Sequence, residues 1–139
     1  MFKRALATDE KHVPTLSNYA YILMAHRSDI DSAEVMFKRA LAIDKNYVTT
    51  INNYGCLLMD HRKDIDSAEE MFKRALAIDE SDVSTLRGYA RLLMKHRNDI
   101  DSAEEMFKRA LAIDENDVST LHNYAYLSLI HISEPTRPY

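Results

Sequence analysis

The sequence is poor in the residues that cross-link, bend or interrupt a chain. Its 139 residues include one cysteine, 2 glycines, 3 prolines and no tryptophan. A single cysteine cannot form an intramolecular disulfide, which excludes a disulfide-stabilised secreted scaffold and makes a reducing compartment, the cytoplasm, the default expectation. Because glycine and proline are so scarce, we expect one continuous domain without a flexible linker.

An excess of positive charge and long apolar runs are also missing. Lys and Arg number 18 against 22 Asp and Glu, which gives a formal net charge of −4. A protein that binds phosphate backbones or anionic membranes through broad attraction carries a basic balance instead. No apolar run approaches the roughly 18 residues of a membrane-spanning helix. The sequence therefore predicts neither a nucleic acid nor a membrane as partner.

An internal repeat of 35 residues dominates the sequence. The block MFKRALA recurs at this spacing, beginning at Met1, Met36, Met71 and Met106. The 35 residues that start at Met36 differ from the next 35 at only 11 positions. Units this similar must have nearly the same structure.

Each unit contains two helical patterns. In the second, DSAEEMFKRALAID, the apolar residues follow one helix face: Ala68, Met71, Phe72, Ala75 and Leu76. Asp66, with Glu69 three residues later, predicts a capping box that starts this helix. In the first pattern, Asp82 is the predicted N-cap. It precedes a similar apolar face: Val83, Leu86, Tyr89, Ala90 and Leu93.

These patterns predict an all-α fold of antiparallel helical hairpins. The expected boundaries are a half repeat at 1–10, full repeats at about 11–45, 46–80 and 81–115, and a half repeat at 116–126. Residues 127–139 depart from the repeat, and the stretch from Leu127 to Arg137 resembles the translation of a transposase-based sequencing adapter. We therefore expect a non-native tail on a fragment of a longer repeat protein.

The repeat resembles the tetratricopeptide repeat family. The first-helix columns of that family are similar to Leu16, Tyr19, Ala20, Leu23, Ile51, Tyr54, Gly55, Leu58, Leu86, Tyr89, Ala90 and Leu93. Its second-helix columns are similar to Ala33, Phe37, Ala40, Ala68, Phe72, Ala75, Ala103, Phe107 and Ala110. The resemblance implies a right-handed superhelical solenoid that binds proteins in a concave groove lined by the first helices. It also implies no catalytic residue and no cofactor.

Small residues occupy two columns where the helices of a hairpin should approach closely. One column holds Ala or Gly at 20, 55, 90 and 125, and the other holds Ala at 33, 68 and 103. Such columns predict tight contact within each hairpin, with larger apolar side chains filling the space around it.

Histidine and arginine are paired at 26–27, 61–62 and 96–97, which raises the question of a metal site. Equivalent residues of successive hairpins lie on the order of 8–10 Å apart per helix, whereas zinc needs its ligands at about 2 Å. We interpret the pairs as groups that stabilise the free carbonyls at helix C-termini. No metal-binding or catalytic motif occurs in the sequence.

The predicted partner-binding residues lie on the first helices, one position beyond the core face, and differ between units. They are Ser17, Tyr21, Asn52, Cys56, Arg87, Arg91, Lys95, His122 and Tyr126. Variation in a copied repeat fits a surface adapted to a partner, and free drift of exposed positions is the alternative. The cations at 87, 91 and 95 predict either an anchor for an acidic or phosphorylated peptide or a charge stripe that is solvated or that neighbouring carboxylates neutralise.

Two other functions remain open at this point. The pentatricopeptide family also has 35-residue helical hairpins and reads RNA bases, although the acidic charge balance speaks against RNA. The chain could also be the non-catalytic part of a larger enzyme. We further expect self-association, because unpaired helices at both ends should leave apolar faces uncovered.

Overall fold

The computed structural model describes residues 12–133, and every regular element in this part of the chain is an α-helix. The predicted half repeat at 1–10 lies outside the described residues, as does the tail beyond residue 133. The described residues divide into two compact units, one that ends at Asp79 and one that begins at Glu80. The first unit contains α1 (Val13–Ala25), α2 (Ile30–Ile43), α3 (Val48–Asp60) and α4 (Ile65–Ile78). The second contains α5 (Val83–Lys95), α6 (Ile100–Ile113) and α7 (Val118–Ser133).

The first unit consists of two hairpins, in which α1 packs on α2 and α3 packs on α4. Small side chains lie where the paired helices meet: Ala20 and Ala33 in one hairpin, Gly55 and Ala68 in the other, all buried. Phe72, on α4, is also fully buried. The predicted small columns are confirmed here, because close helix approach lets the larger side chains fill the remaining space.

In the second unit, α5 and α6 form a third hairpin and α7 packs beside them. Ala90, Ala103 and Phe107 are completely buried, as their counterparts are in the first unit. Ala125, the last member of the small column, is exposed. This member of the column is open because no helix among the described residues covers that face of α7, as expected for a first helix without a partner.

The helix starts follow a repeated capping scheme. Asp64 precedes α4, and its side chain accepts a hydrogen bond from the backbone N–H of Ser67 at 3.2 Å. The predicted capping box is therefore wrong by two residues, and Asp66 lies in the first turn, where its negative charge still favours the helix dipole. The predicted N-cap Asp82 is confirmed at the start of α5.

The loop inside each hairpin turns through one residue in the left-handed region. Ser28, Lys63 and Asn98 have φ values of 53°, 57° and 54°. In the second of these loops the backbone N–H of Asp64 donates to the carbonyl of Leu58 at 2.9 Å. This bond closes the turn and satisfies a carbonyl that the end of α3 would otherwise leave open.

Helix α7 is longer than the other first helices of the hairpins and continues through residue 126 to Ser133, where the described residues end. Leu127 is buried with 1% exposure. The non-native origin of residues 127–139 stays a prediction. Across residues 12–133, no helix combines the length and the apolar character needed to cross a membrane.

Candidate partner-binding surface

In the first unit the predicted partner-binding residues are unequally accessible. Ser17 has no exposed surface and Asn52 is 6% exposed, whereas Tyr21 is 44% exposed. Cys56 is half-buried. Beyond the core face, the first of the two predicted positions is buried on both α1 and α3, whereas the second is exposed on α1 and half-buried on α3. A role of Ser17 and Asn52 in binding stays a prediction.

Two of these buried side chains carry unsatisfied polar atoms. Oγ of Ser17 and Oδ1 of Asn52 have no hydrogen-bond partner, and the same holds for Oγ1 of Thr50 near the start of α3. The Thr50 hydroxyl lacks a partner because Tyr47 is the N-cap of α3 and offers no carboxylate. The equivalent Thr85 hydroxyl, on α5, donates to the N-cap carboxylate of Asp82.

In the second unit, the guanidinium of Arg87 forms an ion pair within the protein, so it is not available as an unpaired cation for a ligand. Its guanidinium donates to Oδ2 of Asp117 at 2.7 Å. Asp117 also accepts from the backbone N–H and the hydroxyl of Thr120, so it caps α7 as well. The hydroxyl of Thr120, and then the guanidinium of Arg87, lower the pKa of Asp117 below its ordinary value. For this one cation, neutralisation by a neighbouring carboxylate is confirmed.

The remaining predicted residues of the second unit form a more accessible group. Nζ of Lys95 lies 6.0 Å from the centre of the Tyr126 ring, within the range of a cation–π interaction. Tyr126 is 50% exposed. His122 is exposed and Arg91 is half-buried. The structure thus brings Lys95 and Tyr126 together, from α5 and α7.

A polar network in the first unit was not predicted from the sequence. The hydroxyl of Tyr54 donates to Oε2 of Glu34 at 2.8 Å, and Arg62 contacts Oε1 of the same carboxylate at 3.0 Å. Arg62 also donates to Oδ1 of Asp31 at 2.6 Å. Burial, and then the hydrogen bond to Glu34, raise the pKa of Tyr54 far above its ordinary value.

This network corrects one interpretation made from the sequence. The guanidinium of Arg62, a member of a His-Arg pair, donates to carboxylates on α2 instead of to the carbonyls of its own helix. His61 is the C-cap of α3. Tyr, Glu and Arg recur at fixed positions in each unit, and this recurrence was the one sequence signal for the network. It did not predict the contact between Glu34 and Tyr54, because the two residues are 20 positions apart in the sequence.

The arrangement suits recognition of polar and charged groups by side chains. In the part of the chain that the structure describes, no group of three or more His, Cys, Asp or Glu residues is placed to hold a metal ion. The accessible groups are cations, an imidazole and phenol rings, which can bind carboxylates, phosphates and apolar side chains through ion pairs and stacking.

Part of the sequence matches a known protein family. Residues 61–125 match the sequence profile of the tetratricopeptide repeat. No curated protein sequence matches the chain.

Several solved structures are similar in fold. The first TPR of Spaghetti (RPAP3), bound to the HSP90 peptide SRMEEVD, has a TM-score of 0.75 at 14% identity, over 90% of this chain and 96% of that one. TTC0263, a thermophilic TPR protein of Thermus thermophilus, has a TM-score of 0.77 at 19% identity, over 92% and 70%. YrrB, described as having an unusual peptide-binding site, has a TM-score of 0.73 at 18% identity, over 94% and 66%. At these identities the likeness shows the fold, an all-α helical repeat solenoid.

Proposed function

Because the chain is a tetratricopeptide repeat protein, we propose that it is a protein-interaction scaffold without catalytic activity. Its ligand is an extended peptide or a segment of a partner protein, bound along the first helices. The finer part of the proposal is that this segment is acidic. Two of the similar structures are described by peptide binding, and the peptide SRMEEVD has three acidic residues and one basic residue.

The observation that carries the proposal is the accessible cation–aromatic pair of the second unit. Lys95 and Tyr126 come from two different first helices, and both side chains reach solvent. A carboxylate of a bound peptide can pair with the Lys95 ammonium while an adjacent apolar group stacks on the free face of Tyr126. Arg91, one turn before Lys95 on α5, provides a second positive charge.

The structure changes which cation an experiment should address. Arg87 already has Asp117 as its ion-pair partner, and removing Arg87 would disturb the cap of α7 as well as any ligand. Lys95 is exposed and lies near the C-terminus of α5. Because its side chain is exposed, a change of charge at Lys95 should disturb folding less than the removal of Arg87, which contacts the cap of α7.

The experiment measures binding of extended peptides by fluorescence anisotropy. The panel contains the peptide SRMEEVD, its variant with Gln and Asn in place of Glu and Asp, and mixed single-stranded RNA. We expect binding of the acidic peptide only, with an affinity that falls as salt rises, because charge pairs near a surface are screened. Lys95→Glu should weaken binding about tenfold or more, because the single substitution replaces an attraction by a repulsion.

The matched control changes the same charge elsewhere. Lys108→Glu, on α6, alters the net charge equally but lies on a second helix, where Lys108 pairs with Glu104 at 2.9 Å. Equal loss of affinity in both variants would show a general charge effect and contradict a site at Lys95. Binding of RNA in preference to peptide would replace the proposal by the pentatricopeptide-type alternative.

A further inference from the structure

Asn52, on α3, carries a buried amide oxygen that the protein leaves unsatisfied. Oδ1 of Asn52 has no hydrogen-bond partner within the part of the chain that the structure describes, and the residue is 6% exposed. Oγ of Ser17 and Oγ1 of Thr50 are unsatisfied as well. Those two residues have no exposed surface, so of the three only Asn52 can meet a ligand.

The position of Asn52 is not left unsatisfied in the second unit. Its counterparts 35 and 70 residues later are Arg87, which pairs with Asp117, and His122, which is exposed. A buried amide oxygen without a hydrogen bond destabilises a protein, and leucine, an apolar residue of similar size, would avoid this cost. The fold therefore does not account for an asparagine at this position, whereas a hydrogen-bond donor from a ligand does.

The charges of the first helices indicate which kind of donor fits. α1 has no charged residue and α3 has only Asp60, whereas α5 has three cations. The first helices of the first unit therefore offer no cation to a carboxylate of a ligand. A cationic donor would lose its hydration against one neutral oxygen, which costs far more than the desolvation of an uncharged N–H. An uncharged amide is the chemistry that fits.

A peptide group matches both polar atoms of the Asn52 side chain. A primary amide has an acceptor oxygen and a donor nitrogen, so it can accept from one backbone N–H and donate to a carbonyl of the same segment. The end torsion of asparagine is broad and roughly two-fold, and its rotation breaks no hydrogen bond of Oδ1. One turn further along α3, Cys56 is half-buried, so the surface beside Asn52 stays partly accessible.

We propose that Asn52 binds the main chain of the ligand, by a hydrogen bond with one of its peptide groups. This inference rests on the proposed function, an extended peptide bound along the first helices, and adds a contact that does not depend on the side chains of the peptide. The first unit then contributes affinity for extended segments in general, while Lys95 in the second unit prefers acidic ones. The ligand needs a backbone N–H at the contact, so proline is excluded there.

The test combines methylation of the peptide backbone with substitution of Asn52. The peptide SRMEEVD is N-methylated at one peptide bond after another, which removes single N–H donors and leaves the side chains unchanged, and fluorescence anisotropy measures binding. At one position we expect methylation to lower the affinity of the wild-type chain about threefold to tenfold, the range of one net hydrogen bond. Asn52→Leu should lower the affinity for the unmodified peptide by a similar factor, and methylation at that position should then have no further effect.

Ser17→Ala is the matched control. It removes an unsatisfied oxygen at the equivalent position of α1, but Ser17 has no exposed surface, so the affinity should equal that of the wild-type chain. Both variants should keep or raise the melting temperature, because each loses an unpaired buried polar atom. If circular dichroism shows that Asn52→Leu loses helix, Asn52→Ala takes its place.

The outcomes separate this proposal from the proposed function. Unchanged affinity in Asn52→Leu, or a methylation effect that is absent at every position or persists in Asn52→Leu, would overturn the main-chain contact. If Lys95→Glu still weakens binding in that case, the proposed function stands. Loss of affinity in Asn52→Leu but not in Lys95→Glu would retain the main-chain contact and remove the preference for acidic segments. A wild-type chain that does not bind the peptide would overturn both.

Discussion

Replacing Gly55 by alanine should stabilise the protein, although the site is tightly packed. Gly55 is the only glycine in a column that holds alanine in the other units, and it lies inside α3. Glycine in a helix interior costs about 0.8–1.0 kcal/mol relative to alanine. Against this gain, the added methyl group would lie 3.0 Å from Cε1 and 3.2 Å from Cζ of Phe72.

The hairpin of α5 and α6 indicates which effect is larger, the gain in helix propensity or the crowding against Phe72. The second helices α4 and α6 have the same sequence, IDSAEEMFKRALAI. In the hairpin of α5 and α6 the equivalent position is Ala90, which is fully buried, as is Phe107, the counterpart of Phe72. The same partner helix therefore accommodates a methyl group with a shift of a few tenths of an ångström, and the cost should stay below the gain in helix propensity.

We expect Gly55→Ala to raise the free energy of unfolding by about 0.5–1 kcal/mol and the melting temperature by about 2–4 °C. Urea denaturation followed by circular dichroism measures the first and a thermal scan the second. The reverse change, Ala90→Gly, should lower stability by about 1 kcal/mol or more, because it loses propensity and buried methyl surface together. If Gly55→Ala instead lowers the free energy of unfolding by about 1 kcal/mol or more, the reasoning is refuted. That result would show that α3 and α4 cannot move apart by the small distance that the methyl group needs.

Three other substitutions test the packing and the electrostatics. Ala68→Leu or Ala103→Leu should each cost about 1–3 kcal/mol by overpacking a column with no exposed surface, and unchanged melting temperatures in both would contradict the helix register. The pKa of Asp117 is lowered in the folded protein by Thr120 and Arg87, so the stability it contributes is present above its unfolded pKa of about 3.9 and is lost as the pH falls below that value. Asp117→Asn retains a capping side chain but should remove this part of the acid sensitivity; urea titrations from neutral pH down to about pH 3 that give parallel curves for both proteins would exclude the assignment.

Much of the core was predictable because the repeat supplies several copies of one pattern. Phe72 and Ala68 lie on the apolar face that the helical spacing indicated, and both are buried. The start of α4 was not predictable at the same level. Asp64 and Asp66 are two residues apart, either can cap a helix, and apolar periodicity does not distinguish them. Only the bond from the backbone N–H of Ser67 to Asp64 selects the first.

The candidate site was less predictable, because its properties depend on where long side chains end. Arg87 and Asp117 are 30 residues apart in the sequence, and nothing in either helix pattern indicates that the two groups pair. The burial of Asn52 depends on how closely neighbouring helices cover a position at the edge of the core face. Positions at that boundary change from open to covered with a small change in helix crossing, so sequence spacing alone could not sort them.

The near identity of the second helices explains how the first helices can differ. α4 and α6 are the same in sequence, and α2 differs from them only at Val35, which is 53% exposed. A first helix in each hairpin therefore meets the same packing surface, and its outward positions can change without a compensating change in its partner. On this basis the exchange of a buried Asn52 for an ion-paired Arg87 alters the surface while the core stays constant. Among the predicted partner-binding residues, the exposed cation is Lys95, in the second unit, and on our proposal that unit should determine which ligand the scaffold prefers.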